Sequence, residues 1–190
     1  MRIVAGEFRG RELTTPAGDA TRPTAARARE ALFSILMDVH DASVLDLYAG
    51  SGALGLEALS RGAARAVFVE VSKPAQRAIK SNIAVLGLAE RATLLPLRAE
   101  ASFAALERHA PFSLVFADPP WADAQAAFGV LVRLVTASLL VPAARLVLEH
   151  AAKSGPEIPG NSPLRPVDTR RWGDTAVTIF EAADGPAGGS

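Results

Sequence analysis

The fold of this 190-residue chain is decided by Asp46-Leu47-Tyr48-Ala49-Gly50-Ser51-Gly52-Ala53-Leu54-Gly55. This stretch ends an apolar run over 43–48 that predicts a buried strand, and it opens a helix predicted over 53–61. Glycines let such a turn tighten and let a ligand approach the backbone closely. Gly50, Gly52 and Gly55 match the G-x-G-x-x-G spacing of nucleotide-binding turns, with acidic Glu70 about 20 residues further on. The stretch therefore predicts a nucleotide-like ligand, and the alternative is a purely structural tight turn.

Predicted strands and helices alternate after this turn. Strands with near-continuous apolar runs, separated by helices, are typical of a parallel sheet covered on both faces. Near the C-terminus, Gly173-Asp174 separates two extended segments and predicts an antiparallel hairpin at the edge of the sheet. The sequence thus predicts an α/β fold with a mostly parallel seven-stranded sheet. The predicted strands are 43–48, 66–70, 92–97, 113–117, 144–149, 165–172 and 175–181, and the predicted helices are 25–37, 53–61, 74–86, 101–108 and 124–138.

The segment before the first sheet strand is predicted to be an extension of the sheet domain. Residues 3–5 and 11–13 read as two short strands around a turn, and a helix follows over 25–37. We therefore divide the chain into an extension over 1–41, a main domain over 42–182 and a disordered, glycine-rich tail over 183–190.

Composition excludes several classes of protein. The chain has no cysteine, and its three histidines are scattered, so we expect neither disulfides nor a metal site. It has no apolar run long enough for a membrane span and no apolar N-terminal leader, so we expect a cytoplasmic protein. The net charge of zero does not by itself indicate a nucleic-acid partner.

Two features favour S-adenosylmethionine over a dinucleotide as the ligand of the glycine turn. Asp46 ends the strand just before the glycines, where its charge would repel a pyrophosphate but would suit an ammonium and a sulfonium. A dehydrogenase would also need a further substrate domain, for which the chain leaves little room. Glu70 ends the second strand, where its carboxylate can accept both ribose hydroxyls, although an ordinary solvated acid is the alternative.

Asp118-Pro119-Pro120-Trp121 follows the fourth predicted strand. Two prolines stiffen the turn and remove two N–H donors, which leaves bare carbonyl acceptors beside the Asp118 carboxylate. An aromatic amine on a base is a weak nucleophile, and acceptors that hold its hydrogens can align its nitrogen with a methyl group. Trp121 offers a ring on which a base can stack. The segment predicts an amino-methylating site, and the alternative is a proline-rich loop anchored by a tryptophan.

These residues together resemble the bacterial 16S ribosomal RNA guanine-N2 methyltransferases of the RsmD type. The resemblance runs from Met1 to about Glu181, and the N-terminal blocks are its most specific part. It rests on Met1-Arg2-Ile3-Val4-Ala5-Gly6-Glu7-Phe8-Arg9-Gly10-Arg11, on Arg22-Pro23-Thr24 with Arg27, Arg29 and Glu30, on Asp46 to Arg61, and on Asp118-Pro119-Pro120.

The resemblance implies a class I, Rossmann-like methyltransferase fold, S-adenosylmethionine as methyl donor and a guanine of 16S rRNA (family target 966) as substrate. The chain departs from the expected pattern in two places. Trp121 replaces the usual Phe or Tyr of the family, and Arg98 stands where many methyltransferases place an acceptor for the adenine amine. Ala99 or Glu100 would have to take over that contact. The cofactor-binding residues expected from the sequence are Asp46, Tyr48, Gly50, Ser51, Gly52, Glu70, Ala99 and Asp118.

Arginines of the N-terminal extension are the candidates for holding RNA. Arg9, Arg11, Arg22 and Arg27 are predicted to contact phosphates of 16S rRNA or of the assembling small subunit. The alternatives are a solvated basic hairpin and, for the later arginines with Arg29, bracing of Glu30 or of the active-site loops. We expect a monomer. Rival functions are methylation of adenine-N6 in nucleic acid or of a protein glutamine, and a non-catalytic RNA-binding module.

Overall fold

The computed structural model describes residues 1–16, 23–36 and 38–182, with the side chains of 23–27 outside the described part. The predicted tail over 183–190 and Arg22 therefore lie outside the described residues. The helices are α1 (Pro23–Leu36), α2 (Ala53–Ser60), α3 (Lys73–Leu86), α4 (Phe103–Leu106) and α5 (Ala124–Thr136). The strands are β1 (Ser43–Leu47), β2 (Arg65–Val69), β3 (Ala92–Leu95), β4 (Phe112–Ala117), β5 (Leu140–Ala151), β6 (Leu164–Trp172) and β7 (Thr175–Ala182).

The seven strands form one sheet in the order β3-β2-β1-β4-β5-β7-β6. Strands β1 to β5 run parallel, and β7 pairs antiparallel with both β5 and β6. The mostly parallel sheet with an antiparallel C-terminal hairpin is therefore confirmed. Because the order reverses between β1 and β4, their carboxyl ends form the crevice in which open α/β sheets bind ligands.

Two apolar clusters cover the two faces of the sheet. On one face α1, α2 and α3 pack against the strands, and the rings of Phe33 and Phe116 lie 5.7 Å apart. On the other face α4 and α5 pack, and the rings of Phe128 and Phe180 lie 5.4 Å apart. Ile3 also belongs to the first cluster, so the N-terminal segment shares the core of the sheet.

Some element boundaries differ from the sequence prediction. β5 begins at Leu140 rather than at 144, because its first residues pair with the start of β4. The helix predicted over 101–108 is reduced to the single turn of α4, preceded by a short 3-10 turn at Ala99–Ala101. The two N-terminal arms pair around a turn as the sequence predicts, but too briefly to form strands: the bridge of Arg2 with Glu12 and the backbone hydrogen bonds of Ile3 with Gly10 and Arg11 join them.

The reason is that the N-terminal arm, residues 1–14, directs its backbone to helix α2. Glu57 of α2 is fully buried, and its carboxylate accepts hydrogen bonds from the backbone N–H groups of Val4 at 2.8 Å and Ala5 at 3.0 Å. The same carboxylate accepts from Arg61 Nε at 2.9 Å and lies 3.6 Å from Arg29 Nε of α1. One buried acid therefore ties the arm, α1 and α2 together.

Further polar contacts hold the two ends of the arm. Ser60 Oγ donates to the Ala5 carbonyl at 2.6 Å, and the Ser60 carbonyl accepts from Glu7 N–H at 2.7 Å. Gly6 approaches so closely that an added Cβ would lie 1.8 Å from the Ser60 oxygen. At the other end, the Asn82 amide accepts from Thr14 N–H at 2.8 Å and donates to the Thr14 carbonyl. The arm is thus a fixed part of the fold.

Removing the charge of Glu57 should destabilise the whole domain. Glu57→Gln leaves Arg29 buried without its counter-ion, a change that costs about 3–5 kcal/mol. We expect the melting temperature to fall by on the order of 10 °C. Glu12→Gln, which removes an exposed partner of Arg2, should change stability by at most about 1 kcal/mol. Equal melting temperatures for the two variants in thermal unfolding would contradict this account.

The third glycine of the turn is required by packing between α2 and the sheet. A Cβ at Gly55 would lie 2.4 Å from Phe68 Cε1 and 3.2 Å from an Asp46 carboxylate oxygen. Gly129 in α5 differs, because a Cβ there would meet nothing within 4 Å.

Alanine at these two glycines should therefore have opposite effects. Gly55→Ala should lower stability by about 1–3 kcal/mol through overpacking against Phe68. Gly129→Ala should raise stability by about 0.5–1 kcal/mol, because it restricts the unfolded chain at no steric cost. Denaturant unfolding of both variants measures the difference, and a stabilised Gly55→Ala protein would show that the α2 packing is looser than described.

Candidate active site

The predicted active-site segments meet at the carboxyl ends of β1 and β4. The two strands are in parallel register, with Leu47 opposite Ala117. The backbone N–H of Asp118 donates to the Leu47 carbonyl at 3.4 Å, which brings the glycine turn and the Asp-Pro-Pro-Trp turn side by side. The helix after β1 covers one face of the sheet and the helix after β4 covers the other, so the two turns flank an open crevice.

The glycine turn has a backbone that few residue types adopt. Gly50 and Gly52 have φ values of 56° and 77°, in the left-handed region that glycine enters without steric penalty. Tyr48 shares that region with φ 56°, which is uncommon for an aromatic residue and is a form of strain found at binding sites. The Gly52 N–H donates to the Ala49 carbonyl at 2.7 Å and closes the turn.

Asp46 lies buried beneath this turn. One of its carboxylate oxygens accepts a hydrogen bond from the Gly55 N–H at 2.9 Å. Burial raises the pKa of Asp46 well above its usual range, and the nearby Asp118 and Glu70 raise it further, while the Gly55 hydrogen bond opposes the change. A positively charged group placed in the crevice would relieve this repulsion.

Glu70 supports the turn from the end of β2. Its two carboxylate oxygens accept hydrogen bonds from Gly50 N–H at 2.8 Å and Ser72 N–H at 2.7 Å. An ionised carboxylate offers about four acceptor positions, so two remain for the hydroxyls of a ribose. Glu70 therefore orients the glycine turn as well as being available to a ligand.

Tyr48, Ala99 and Glu100 line the β3 side of the crevice. The Tyr48 hydroxyl donates to the Glu100 carboxylate at 2.9 Å, and burial together with Glu100 raises the pKa of Tyr48. Ala99 is buried, and its carbonyl accepts from Ser102 Oγ at 2.8 Å. Arg98 is exposed. The position that many methyltransferases give to an adenine acceptor is therefore flanked here by Glu100.

The Asp-Pro-Pro-Trp turn presents its polar and aromatic groups outward. Asp118 and Pro120 are exposed and Pro119 is buried, so the turn is anchored by one proline. Trp121 begins a short 3-10 turn, Trp121–Asp123, and remains 46% exposed. Its ring is accessible for stacking, as the sequence prediction requires.

Sequence reasoning missed Glu149 as a member of the site. It lies near the end of β5, next to β4, and burial together with the charge of Asp118 raises its pKa to about 8. The only signal in the sequence was an acid that follows the apolar run Leu146-Val147-Leu148. Four acids thus lie near the carboxyl ends of four adjacent strands: Glu70 after β2, Asp46 in β1, Asp118 after β4 and Glu149 in β5. Such a concentration of negative charge favours a cationic ligand.

Asn82 and Ser51 connect the glycine turn to the N-terminal arm, which the sequence also did not reveal. The Asn82 amide donates to the carbonyl of Ser51 at 3.0 Å as well as to that of Thr14. Ser51 itself is buried, and its hydroxyl lies 3.9 Å from the Met1 sulfur. Met1 and Thr14, at the two ends of the arm, therefore lie behind the glycine turn.

The described candidate RNA-binding arginines do not lie at the crevice formed by the carboxyl ends of β1 and β4. Arg9 and Arg11 are exposed near the tip of the N-terminal turn, which contacts the C-terminal end of α2 through Ser60. Helix α2 has eight residues, so this tip lies about 12 Å from the glycine turn along the helix axis. Arg22 and the side chain of Arg27 lie outside the described residues. Arg29 pairs with Glu57 rather than with Glu30.

Among the residues that the structure describes, neither a membrane-spanning helix nor a metal-binding cluster is present. No helix there is long and apolar enough to cross a bilayer. No group of three or more His, Cys, Asp or Glu side chains is arranged to hold a metal ion.

Comparison with known proteins identifies the family. The sequence model of the family Conserved hypothetical protein 95 matches residues 1–181. The chain is 35% identical over 184 residues to a protein of Bacillus subtilis called putative rRNA methyltransferase YlbH, covering 95% of this chain and 98% of that protein. It is 43% identical over 122 residues to ribosomal RNA small subunit methyltransferase D of Escherichia coli, covering 64% of this chain and 60% of that protein.

Solved structures agree with the sheet described above. The putative methyltransferase YhhF of Escherichia coli superimposes with a TM-score of 0.79 at 30% identity, over 96% of this chain and 97% of that one. A putative methylase of Haemophilus influenzae superimposes with a TM-score of 0.76 at 29% identity, over 96% and 98%. The chain therefore belongs to the Conserved hypothetical protein 95 family of RsmD-type methyltransferases, and it has the class I S-adenosylmethionine-dependent methyltransferase fold.

Proposed function

We propose that this protein transfers a methyl group from S-adenosylmethionine to the exocyclic N2 amine of a guanine in 16S rRNA, the family target being position 966. The observation that carries the proposal is the contact between β1 and β4, which sets Asp118-Pro119-Pro120-Trp121 beside the glycine turn. A methyl donor on the glycine turn and an amine on the Asp-Pro-Pro turn would thus share one crevice.

The residues of the glycine turn suit this donor. S-adenosylmethionine supplies an electrophilic methyl group on a positively charged sulfur. Asp46 and Glu70 provide negative potential and hydroxyl acceptors, and Tyr48 with Glu100 borders the place for the adenine. Gly50 leaves the backbone open to close approach, because a Cβ there would meet nothing within 4 Å, whereas a Cβ at Gly52 would lie 3.2 Å from Phe68 Cε1. Ser51 and Ala99 complete the wall through backbone groups.

The residues of the Asp-Pro-Pro turn suit an aromatic amine. The Asp118 carboxylate and the Pro119 carbonyl would accept the two amine hydrogens, which orients the nitrogen lone pair toward the methyl group. Trp121, being half-exposed, would stack on the base and hold it out of the RNA helix. Transfer of the methyl group forms the N–C bond, breaks the S–C bond and releases one amine proton toward the Asp118 carboxylate.

Relatives support RNA as the substrate. The proteins similar over most or much of the chain are described as a putative rRNA methyltransferase and as ribosomal RNA small subunit methyltransferase D. We propose that the protein acts in the cytoplasm, as a monomer, on 16S rRNA or on the assembling small subunit. Methylation of adenine-N6 or of a protein glutamine remains the second candidate, since the same turn would hold those amines.

Methylation of 16S rRNA tests the proposal directly. With tritiated S-adenosylmethionine and small-subunit RNA or particles lacking the modification, the wild type should label one guanine, found as N2-methylguanosine after nuclease digestion. Asp118→Ala should bind the cofactor but reduce kcat by about 10²–10³-fold, because an acceptor for the amine is lost. Asp118→Asn keeps one carbonyl acceptor and should lose less. Label in adenine or protein, or full turnover by Asp118→Ala, would contradict the proposal.

The arginines at the tip of the N-terminal turn are proposed to contact RNA phosphates. Arg9→Gln combined with Arg11→Gln should weaken RNA binding and reduce the slope of log K against log salt by roughly 1–2, since each lost phosphate contact lowers it by about 0.7–0.9. Arg108→Gln, an exposed arginine between α4 and β4, serves as the matched control. An unchanged slope in the double variant, measured by salt titration, would assign Arg9 and Arg11 to the solvated surface.

A further inference from the structure

We propose that Glu149 is a specificity-determining residue that accepts a hydrogen bond from N1–H of the target guanine, while Asp118 accepts from the N2 amine. This inference rests on the proposed guanine-N2 methylation and adds the group that reads the base. Neither the sequence motifs nor the contacts of the glycine turn give Glu149 another role in the site.

The register of the sheet places Glu149 beside Asp118. Strands β4 and β5 are parallel neighbours with Ala117 opposite Leu148, so Asp118 and Glu149 occupy the next position on each strand. Adjacent strands lie about 4.8 Å apart. Side chains alternate along a strand, and Phe116 and Val147, two positions before Asp118 and Glu149, both face the α1 side of the sheet. The two carboxyl groups therefore project from the same side of the same edge.

The surroundings of Glu149 raise the free energy needed to ionise its carboxyl group. The neighbours of Glu149 in β5, Leu148 and His150, are buried, and the residue opposite it in β7 is the apolar Val177. The Glu149 side chain is only half-buried and interacts with the charge of Asp118. Two acids this close repel each other, and a ligand whose hydrogen-bond donors reach both carboxyl groups lowers that repulsion. The pair is thus complementary to a ligand that presents adjacent donors.

Guanine presents adjacent donors of this kind. Its Watson–Crick edge carries the N2 amine and N1–H side by side, whereas adenine has an amine next to a bare N1 acceptor. With the guanine amine held by Asp118 and its ring against Trp121, N1–H points toward the neighbouring strand, β5. An ionised Glu149 accepts from N1–H but faces an unfavourable lone pair when N1 carries no hydrogen. Glu149 therefore distinguishes a purine that carries N1–H from one that has the same amine but no hydrogen on N1.

The test uses 2-aminopurine, which has the N2 amine of guanine but no hydrogen on N1. A synthetic RNA segment with guanine or 2-aminopurine at the mapped target is ligated into 16S rRNA and methylated with S-adenosylmethionine at pH 8, near the pKa of about 8 of Glu149 and below the pH at which guanine loses N1–H. The wild type should prefer guanine by at least about tenfold in kcat/KM, the value of one hydrogen bond to a charged group. Glu149→Leu should lose most of that preference, because its kcat/KM should fall much further on guanine than on 2-aminopurine.

A purely structural role for Glu149 gives a different result. Glu149→Leu would then reduce kcat/KM for both substrates by the same factor and leave their ratio unchanged, which would overturn the inference. Glu90→Gln, an exposed acid before β3 at the opposite end of the sheet, should leave both values as in the wild type. A wild type without preference for guanine would also overturn it.

Failure of the proposed function is recognised separately. If the wild type methylates no guanine in 16S rRNA, or if the label is found in adenine or protein, the guanine-N2 assignment is wrong before Glu149 is examined. If guanine is labelled and the preference does not depend on Glu149, only the inference about Glu149 is wrong.

Discussion

The buried carboxylate of Glu57 is the interaction on which the arrangement of this protein depends. It accepts two backbone N–H groups of the N-terminal arm and binds the side chain of Arg61, and it offsets the charge of Arg29 inside the core. A carboxylate at zero exposure is tolerated only when it is satisfied in this way. Asn82 joins the arm to the glycine turn, so the ion pair of Glu57 also helps to hold that turn in place.

At the carboxyl ends of the strands, in contrast, acids lie next to other acids. Four acids lie near the carboxyl ends of adjacent strands, and burial together with mutual repulsion raises the pKa values of Asp46 and Glu149. This arrangement costs stability in the free protein, and a cationic methyl donor together with a base rich in donors would offset that cost. The core thus pairs its buried carboxylate with Arg29 and Arg61, whereas the acids of the site lie close to one another and favour a cationic ligand.

Much of the fold could be predicted because its signals are local. The apolar runs of β1, β2 and β4, the glycines after β1 and Gly173-Asp174 between β6 and β7 each act over a few residues. The N-terminal turn could be predicted for the same reason, but not that its arms are too short for strands, because the backbone N–H groups of Val4 and Ala5 bind Glu57, more than 50 residues away. No local pattern marks a long-range acceptor of that kind.

By itself, the sequence determined the order of strands and helices, the glycine turn and the Asp-Pro-Pro-Trp turn, because steric freedom of glycine, rigidity of proline and apolar periodicity are properties of short segments. Only the tertiary structure decided that Glu149 stands beside Asp118, that Asn82 backs Ser51, and that Arg9 and Arg11 lie at the far end of α2. These relations arise from strand register and helix packing, which join residues separated by dozens of positions, and no single segment encodes them.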